Sequence, residues 1–216
     1  MSPDQRWIVE PKPDPDLVRE FSEALSLAPI VVELALQRGY SDRDRLEKFL
    51  YPRLNDLGDP FSLPGVSAAV QRILAAADQG ETVILYGDYD VDGVSSIALL
   101  DSVLRAYGIE THCFLPTRLE EGYGLSLKGI ENSLNSKEAT LLIAADCGTN
   151  SRAESLALKE RGIDLIVLDH HEPSSEGTAE CVSLVNPKLG DDFHYLCTAG
   201  ADFPSLIRRN IPGSSP

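Results

Sequence analysis

From Thr82 onward the chain alternates strand-length apolar runs with segments of helical periodicity. Thr82–Tyr86, Glu110–Leu115, Thr140–Ala144, Asp164–Leu168 and Val182–Val185 have the length of strands. Between them, Val94–Tyr107, Ser126–Leu134 and Ser151–Arg161 carry apolar residues at helical spacing, and Gly108 and Gly162 stand where two of these segments end. Such alternation, with largely continuous apolar strands, predicts an α/β fold: a parallel β-sheet flanked by helices on both faces.

The first 80 residues follow a different pattern. Residues 1–15 are rich in Pro and Asp and read as extended. Asp16 to Arg38 reads as helical, with Leu17, Phe21, Leu25 and Leu27 in one apolar set and Ile30, Val31, Leu34, Ala35 and Leu36 in a second after Pro29. Ser41 is a candidate N-cap for a third helix that Tyr51-Pro52 stops near Leu50. Asn55 to Pro64 is loop-like, and Val66 to Ala77 is an amphipathic helix ended by Gly80. The expected organisation is a small helical N-terminal region over 1–80, an α/β domain over 81–200 and an irregular tail over 201–216.

Each strand-like run stops at a polar cluster. Val83–Tyr86 runs into Asp88, Asp90 and Asp92, and Cys113–Leu115 into Pro116-Thr117-Arg118. Leu141–Ala145 runs into Asp146-Cys-Gly-Thr-Asn150, Leu165–Leu168 into Asp169-His170-His171, and Leu184–Val185 into Asn186-Pro187-Lys188. In a parallel sheet all five clusters share one edge, where α/β proteins place ligand sites.

Three carboxylates at alternate positions repel one another, and a divalent cation relieves that repulsion. A solvated Asp/Gly turn has the same composition. An EF-hand loop shares Asp88, Asp90, Asp92 and Gly93, but Leu99 stands where its bidentate Glu would fall, and the stretch is entered from a strand. Two histidines at a strand end also serve as a simple hydrogen-bonding pair. Their company of aspartates on one edge favours a metal site, and oxygen ligands with one or two imidazoles suit Mn²⁺ or Mg²⁺. There are enough ligands for two ions, with Asp146 as the expected bridge. Two such ions activate a water and stabilise the leaving oxygen of a phosphoester.

The net charge of −15 gives no overall attraction for nucleic acid, so a polyanionic substrate needs a local basic patch or bound metal. Cys113, Cys147, Cys181 and Cys197 form no C-x-x-C pair; the first three read as small buried hydrophobes in a reducing compartment. The N-terminus carries no signal pattern, and no apolar run approaches the ~20 residues that span a bilayer. The expected location is cytoplasmic, with no membrane contact.

The combination of Gly87-Asp-Tyr-Asp-Val-Asp-Gly93, Pro116-Thr-Arg-Leu-Glu-Glu-Gly-Tyr-Gly124, Asp146-Cys-Gly148, Asp169-His-His171 and Asn186-Pro-Lys188 resembles the DHH phosphoesterase superfamily. Within it the chain is similar to the RecJ family of bacterial exonucleases specific for single-stranded DNA. Arg38-Gly39, Phe49-Leu-Tyr-Pro52, Asp59-Pro-Phe61 and Leu63-Pro64 extend the likeness upstream. The resemblance implies a metal-dependent 5′-to-3′ exonuclease on single-stranded DNA, with roles in recombination and repair. It makes Asp90, Asp92, Asp146 and His170 metal ligands, and Asp88 a ligand or the support of one. His171 falls near the scissile phosphate and Asp169 orients the imidazoles. Arg118 becomes a phosphate grip, against an ion pair with Glu120 or Glu121. Tyr123 becomes a base-stacking residue, against a core or turn role.

After Gly200 the likeness ends. Pro204 and Pro212 interrupt the helix that the family pattern continues into, so the chain reads as a truncated or frame-shifted product, or a fragment, lacking a fourth acidic motif and a second domain. That reading expects impaired activity. Two other functions fit the motifs: another DHH phosphoesterase acting on short oligonucleotides or cyclic dinucleotides, and a non-catalytic DHH remnant or binding module.

Overall fold

The computed structural model describes residues 10–53, 59–117, 122, 124–135, 138–190, 194 and 196–200. Arg118, Glu120, Glu121, Tyr123 and the tail 201–216 lie outside the described residues, and with them the expectations placed there. The chain divides into two compact units, with the boundary between Gly58 and Asp59.

The first unit holds α1 (Pro15–Leu25), α2 (Pro29–Gln37) and α3 (Arg43–Leu50). The stretch from Asp16 to Arg38 is thus two helices. Ser26 turns into the left-handed region at φ 53°, and Pro29, which has no N–H to continue a helix, opens the next one. Asp42, not Ser41, caps α3: its carboxylate accepts the Arg45 N–H at 2.8 Å. An acceptor one residue nearer the helix satisfies the orphan donor. Val18, Phe21, Val32 and Leu46 form this unit's own small core.

The second unit opens with a 3₁₀ turn at Pro60–Ser62 and α4 (Val66–Gln79). The sequence pattern groups α4 with the helices before it. Its buried Val66, Ala69, Val70 and Ile73 instead belong to the core beneath the sheet, so packing joins α4 to the α/β unit. Then come β1 (Thr82–Gly87), α5 (Val91–Ala106), β2 (Glu110–Phe114), α6 (Leu127–Ser133), β3 (Leu141–Ala145), α7 (Arg152–Glu160), β4 (Asp164–Leu168) and β5 (Ser183–Val185). All strand pairs are parallel, in the order β2-β1-β3-β4-β5. The fold is the expected parallel sheet flanked by helices.

Alternate strand residues feed two cores, as the period of two requires. Val83, Leu85, Leu141, Ile143, Ile166 and Leu168 pack with α4 and α5 on one face. Ile84, Tyr86, Leu142, Ala144, Leu165 and Val167 pack with α6 and α7 on the other, through Ile130 and Leu158. Both faces are covered, which is why the strands read as near-continuous apolar runs. At the N-terminal end of the strands, Arg72 bridges Asp164 at 2.6 Å and Glu81 at 2.7 Å.

Cys147 is buried and Cys181 half-buried, but Cys113 is exposed. It sits on β2, the edge strand of the sheet among the described residues, so a position inside an apolar run is not an interior position there. Among the described residues no helix is long and apolar enough to cross a membrane.

The chain leaves β1 toward β2 on one side, while β3 lies on the other. The connections diverge there, and such a divergence is where α/β sheets form a ligand crevice, at the C-terminal ends of β1 and β3. Ile143, fully buried on the central strand, measures how far the sheet depends on its core. Ile143→Ala should cost about 3 kcal/mol in urea unfolding, whereas Leu99→Ala, on the exposed side of α5, should cost under about 1 kcal/mol.

Candidate metal centre

Four strands end in register. Gly87 pairs with Ala145, Ala145 with Leu168, and Leu168 with Val185. The next residue on each strand is polar and buried: Asp88, Asp146, Asp169 and Asn186. The backbone ladder carries on through that row. The Asp88 N–H donates to Ala145 O at 3.3 Å, the Asp146 N–H to Leu168 O at 2.8 Å, and the Asp169 N–H to Val185 O at 3.0 Å. Neighbouring strands lie about 4.8 Å apart, so three carboxylates emerge side by side at the crevice.

The acidic stretch after β1 is partly helix. α5 starts at Val91, three residues before the expected Val94, because Asp90 is its N-cap. The Asp90 carboxylate accepts from the N–H groups of Asp92 at 2.9 Å and Gly93 at 3.0 Å. The bond from Gly93 is the main cause that holds the Asp90 carboxyl below its ordinary range, and burial only partly opposes it. Gly93 is obligatory for steric reasons: a Cβ there would lie 2.4 Å from the Asp88 carbonyl oxygen. One Asp88 oxygen accepts the Tyr89 N–H at 2.8 Å. The other, Oδ2, is buried with no hydrogen-bond partner among the described residues.

Asp146 turns off β3 with φ 63°, a conformation that Asp adopts more readily than most residues. Its Oδ1 accepts the Thr198 hydroxyl at 3.0 Å and lies 3.4 Å from His170 Nε2. Burial, with the charges of Asp92 and Asp90 beside it, pushes the Asp146 carboxyl up to about 8. Without a cation, this environment favours the neutral form of the Asp146 carboxyl.

Asp169 holds the histidine pair. Its Oδ1 accepts from the His170 N–H at 2.7 Å, the His171 N–H at 3.2 Å and His171 Nδ1 at 2.7 Å, and its Oδ2 accepts the Thr149 N–H at 2.9 Å. Burial alone would raise this carboxyl, but the bonds from Thr149 and His171 outweigh it and hold it low. Burial also opposes the His171 imidazolium, yet Asp169, with Asp146 and Asp88 nearby, raises it above its ordinary value.

Two ligand groups result. Asp88, Asp90 and Asp146 present oxygens within 4.8 Å of one another, and so do Asp146, His170 and His171 with their ligand atoms. Asp146 is common to both, as its place on the strand between β1 and β4 requires. Asp92 lies in neither group. One of its oxygens is 3.6 Å from His170 Nε2, and the two accept the N–H groups of Thr198 and Ala199 at 2.9 and 2.8 Å. Three participants carry no assigned role in the sequence reading: Thr149, Asn186 and Thr198. The first two sit inside polar clusters that the sequence marks; Thr198 contacts Asp146 across 52 residues with no pattern to announce it.

These residues fit a hard divalent cation. Leaving a buried carboxylate oxygen unpartnered costs on the order of 1–3 kcal/mol, and a cation held by oxygens removes that cost. The oxygen-rich group suits Mg²⁺ or Mn²⁺, and the group with two imidazoles suits Mn²⁺ as well.

The raised Asp146 carboxyl sets a pH dependence for the metal-free chain. Between about pH 4 and about pH 8 the unfolded carboxyl is ionised and the folded one is protonated, so the folded state binds more protons and stability falls as pH rises. His171, raised when folded, acts in the same direction as pH passes its folded value; the depressed Asp90 and Asp169 act only at acid pH, losing stability as pH falls. Asp146→Asn mimics the protonated form. Its melting temperature in EDTA should exceed that of the wild type by a margin that widens from pH 5 to pH 8, while Mn²⁺ binding disappears; a margin that stays constant across that range refutes the assignment.

Residues 82–205 match the DHH family, N-terminal domain. Among curated relatives, the single-stranded-DNA-specific exonuclease RecJ of Bacillus subtilis (strain 168) is 33% identical over 212 residues, covering 98% of this chain and 27% of that protein. The crystal structure of RecJ in complex with Mn²⁺ from Thermus thermophilus superposes with a TM-score of 0.70 at 27% identity, over 97% of this chain and 29% of that one. Its complex with Mg²⁺ gives a TM-score of 0.58 at 25% identity, over 94% of this chain and 25% of that one. The chain therefore spans less than a third of the length of these relatives. The family match includes all five strands and every residue of both ligand groups, and the chain belongs to the DHH family.

Proposed function

We propose that the chain is a metal-dependent phosphodiesterase that releases nucleotides from the 5′ end of single-stranded DNA, in the cytoplasm, in recombination and repair. The observation that carries this reading is the pair of ligand groups sharing Asp146. Support for the substrate comes from the RecJ relatives, which are named for action on single-stranded DNA. Because the chain spans 27% of the Bacillus protein, their full activity is extended to it here as a proposal.

Asp88, Asp90, Asp146 and His170 would hold two Mn²⁺ or Mg²⁺ ions, with Asp92 steadying His170 and the 198–199 backbone or completing the ligand set. Ions bound there would supply an activated water and charge stabilisation for the leaving oxygen. Asp169 keeps the His171 ring oriented, and the raised basicity of His171 suits it to face a phosphate oxygen. Arg118 is proposed to grip a neighbouring phosphate and Tyr123 to stack on a base. Carboxylates that draw cations to the crevice answer the repulsion between DNA and a chain of net charge −15.

The test is digestion of 5′-labelled single-stranded DNA by the purified chain with Mn²⁺, beside Asp146→Ala. The wild type should release labelled nucleotide, EDTA should stop it, and Asp146→Ala should be slower by more than about 100-fold. Equal digestion by both proteins would sink the metal-centre assignment. Cleavage of cyclic dinucleotides but not DNA would select another DHH phosphoesterase. Calorimetric Mn²⁺ binding without cleavage of either would select a non-catalytic binding module.

A further inference from the structure

Asn186 is fully buried at the end of β5, and every polar atom of its side chain is engaged. Its Oδ1 accepts the Lys188 N–H at 2.9 Å, which caps the 3₁₀ turn Pro187–Leu189. That bond settles the orientation of the amide, because a flipped amide would point its NH₂ at a donor and its oxygen at two oxygens. The two Nδ2 hydrogens go to Thr149 Oγ1 at 3.0 Å and to the main-chain oxygen of His171 at 2.8 Å.

The first of these bonds starts a directed relay. Asn186 thereby holds Thr149, which stands beside the Asp169 carboxylate. The Thr149 N–H reaches the same carboxylate at 2.9 Å. Asp169 Oδ1 in turn lies 2.7 Å from His171 Nδ1. An ionised carboxylate only accepts, so Nδ1 carries the hydrogen. The second bond ties down the backbone of the same histidine. Asn186 thus reaches His171 twice, once through the ring and once through the main chain.

We infer that Asn186 is a positioning residue that fixes which ring nitrogen of His171 is presented to the ligand groups. Second-sphere partners of this kind set the tautomer and aim of an imidazole. The inference rests on the reading of His171 as a site residue and deepens it, but its test needs neither DNA nor turnover.

Side-chain NMR of the ¹⁵N-labelled, metal-free chain, at a pH high enough to leave the ring neutral and with His171→Gln to assign it, reads the tautomer directly, and calorimetry reads Mn²⁺ affinity in parallel. Wild-type His171 should be a single Nδ1–H form. Asn186→Asp keeps the shape and the acceptor for Lys188 but loses both donated hydrogens. The new carboxylate would accept from the Thr149 hydroxyl instead of donating to it, and would repel the His171 carbonyl oxygen. The His171 ring should then become a mixture of tautomers, with Mn²⁺ affinity about tenfold weaker. A wild-type ring in the Nε2–H form, or an Asn186→Asp chain with an unchanged tautomer and affinity, overturns the inference. If circular dichroism shows that Asn186→Asp does not fold, Thr149→Val and Thr149→Ser decide. Loss of the single tautomer in the valine variant and its retention in the serine variant supports the relay; the same tautomer in both overturns it. A tautomer that depends on Asn186 in a chain that cleaves no DNA would leave this inference standing and sink the proposed function.

Discussion

The constraint on which the second unit depends is the register of its parallel sheet. Gly87, Ala145, Leu168 and Val185 are aligned, so the first residue past each strand falls in one row. Three members of that row are buried carboxylic acids, and the fourth is an amide. A single-residue slip in β1, β3 or β4 would turn a carboxylate from the crevice into one of the apolar cores. The slip would cost both packing and desolvation, so the two faces of the sheet specify the site as strongly as the site's own bonds do.

The row creates an electrostatic problem that is only partly solved by the protein. Asp169 is saturated: four donors surround it, and it stays ionised although buried. Asp90 is satisfied by the first turn of α5, whose N–H groups it caps. Asp88 keeps an oxygen with no hydrogen-bond partner among the described residues, and burial beside Asp92 and Asp90 disfavours the charge on Asp146. These two, from adjacent strands at the point where strand order reverses, are the groups that a divalent cation would complete. The division explains why one stretch of aspartates contains both structural and ligand-type carboxylates: the difference lies in which backbone donors the fold supplies to each.

Asp90 shows how local and global structure meet. Its side chain ends the loop after β1 by starting α5, and α5 approaches so closely that only a glycine fits at position 93 against the Asp88 backbone. The same helix buries Ile97, Leu100 and Leu104 against the sheet. Anchoring of α5 by its apolar face therefore sets the position of Asp90 and Asp92. Asp92, in turn, accepts two N–H groups from residues 198 and 199, which brings the Thr198 hydroxyl to Asp146. Asn186, Thr149 and Thr198 add no charge to the centre; they orient the groups that carry it.

Much of this was legible in the chain itself. Strand-length apolar runs that end at polar clusters, separated by helical periodicity, determined the parallel sheet and the edge on which Asp88, Asp90, Asp92, Asp146, Asp169, His170 and His171 gather; the separate role of each is what the family resemblance implies. These features are local, since burial on both faces leaves a direct imprint on composition. Boundaries that depend on a competing cap were less legible: Asp42 displaced Ser41, and Asp90 started α5 before Val94, because backbone N–H groups choose the nearest well-placed oxygen. Membership of α4 in the α/β unit and the exposure of Cys113 depended on which surface each element meets, which no single segment encodes. The strand order, the alignment of the row, the raised Asp146 carboxyl and the bonds from Asn186 and Thr198 were decided only by the tertiary structure. Each joins residues far apart in sequence, and the energy of burying a charge depends on the neighbours that the fold brings, not on those that the chain supplies.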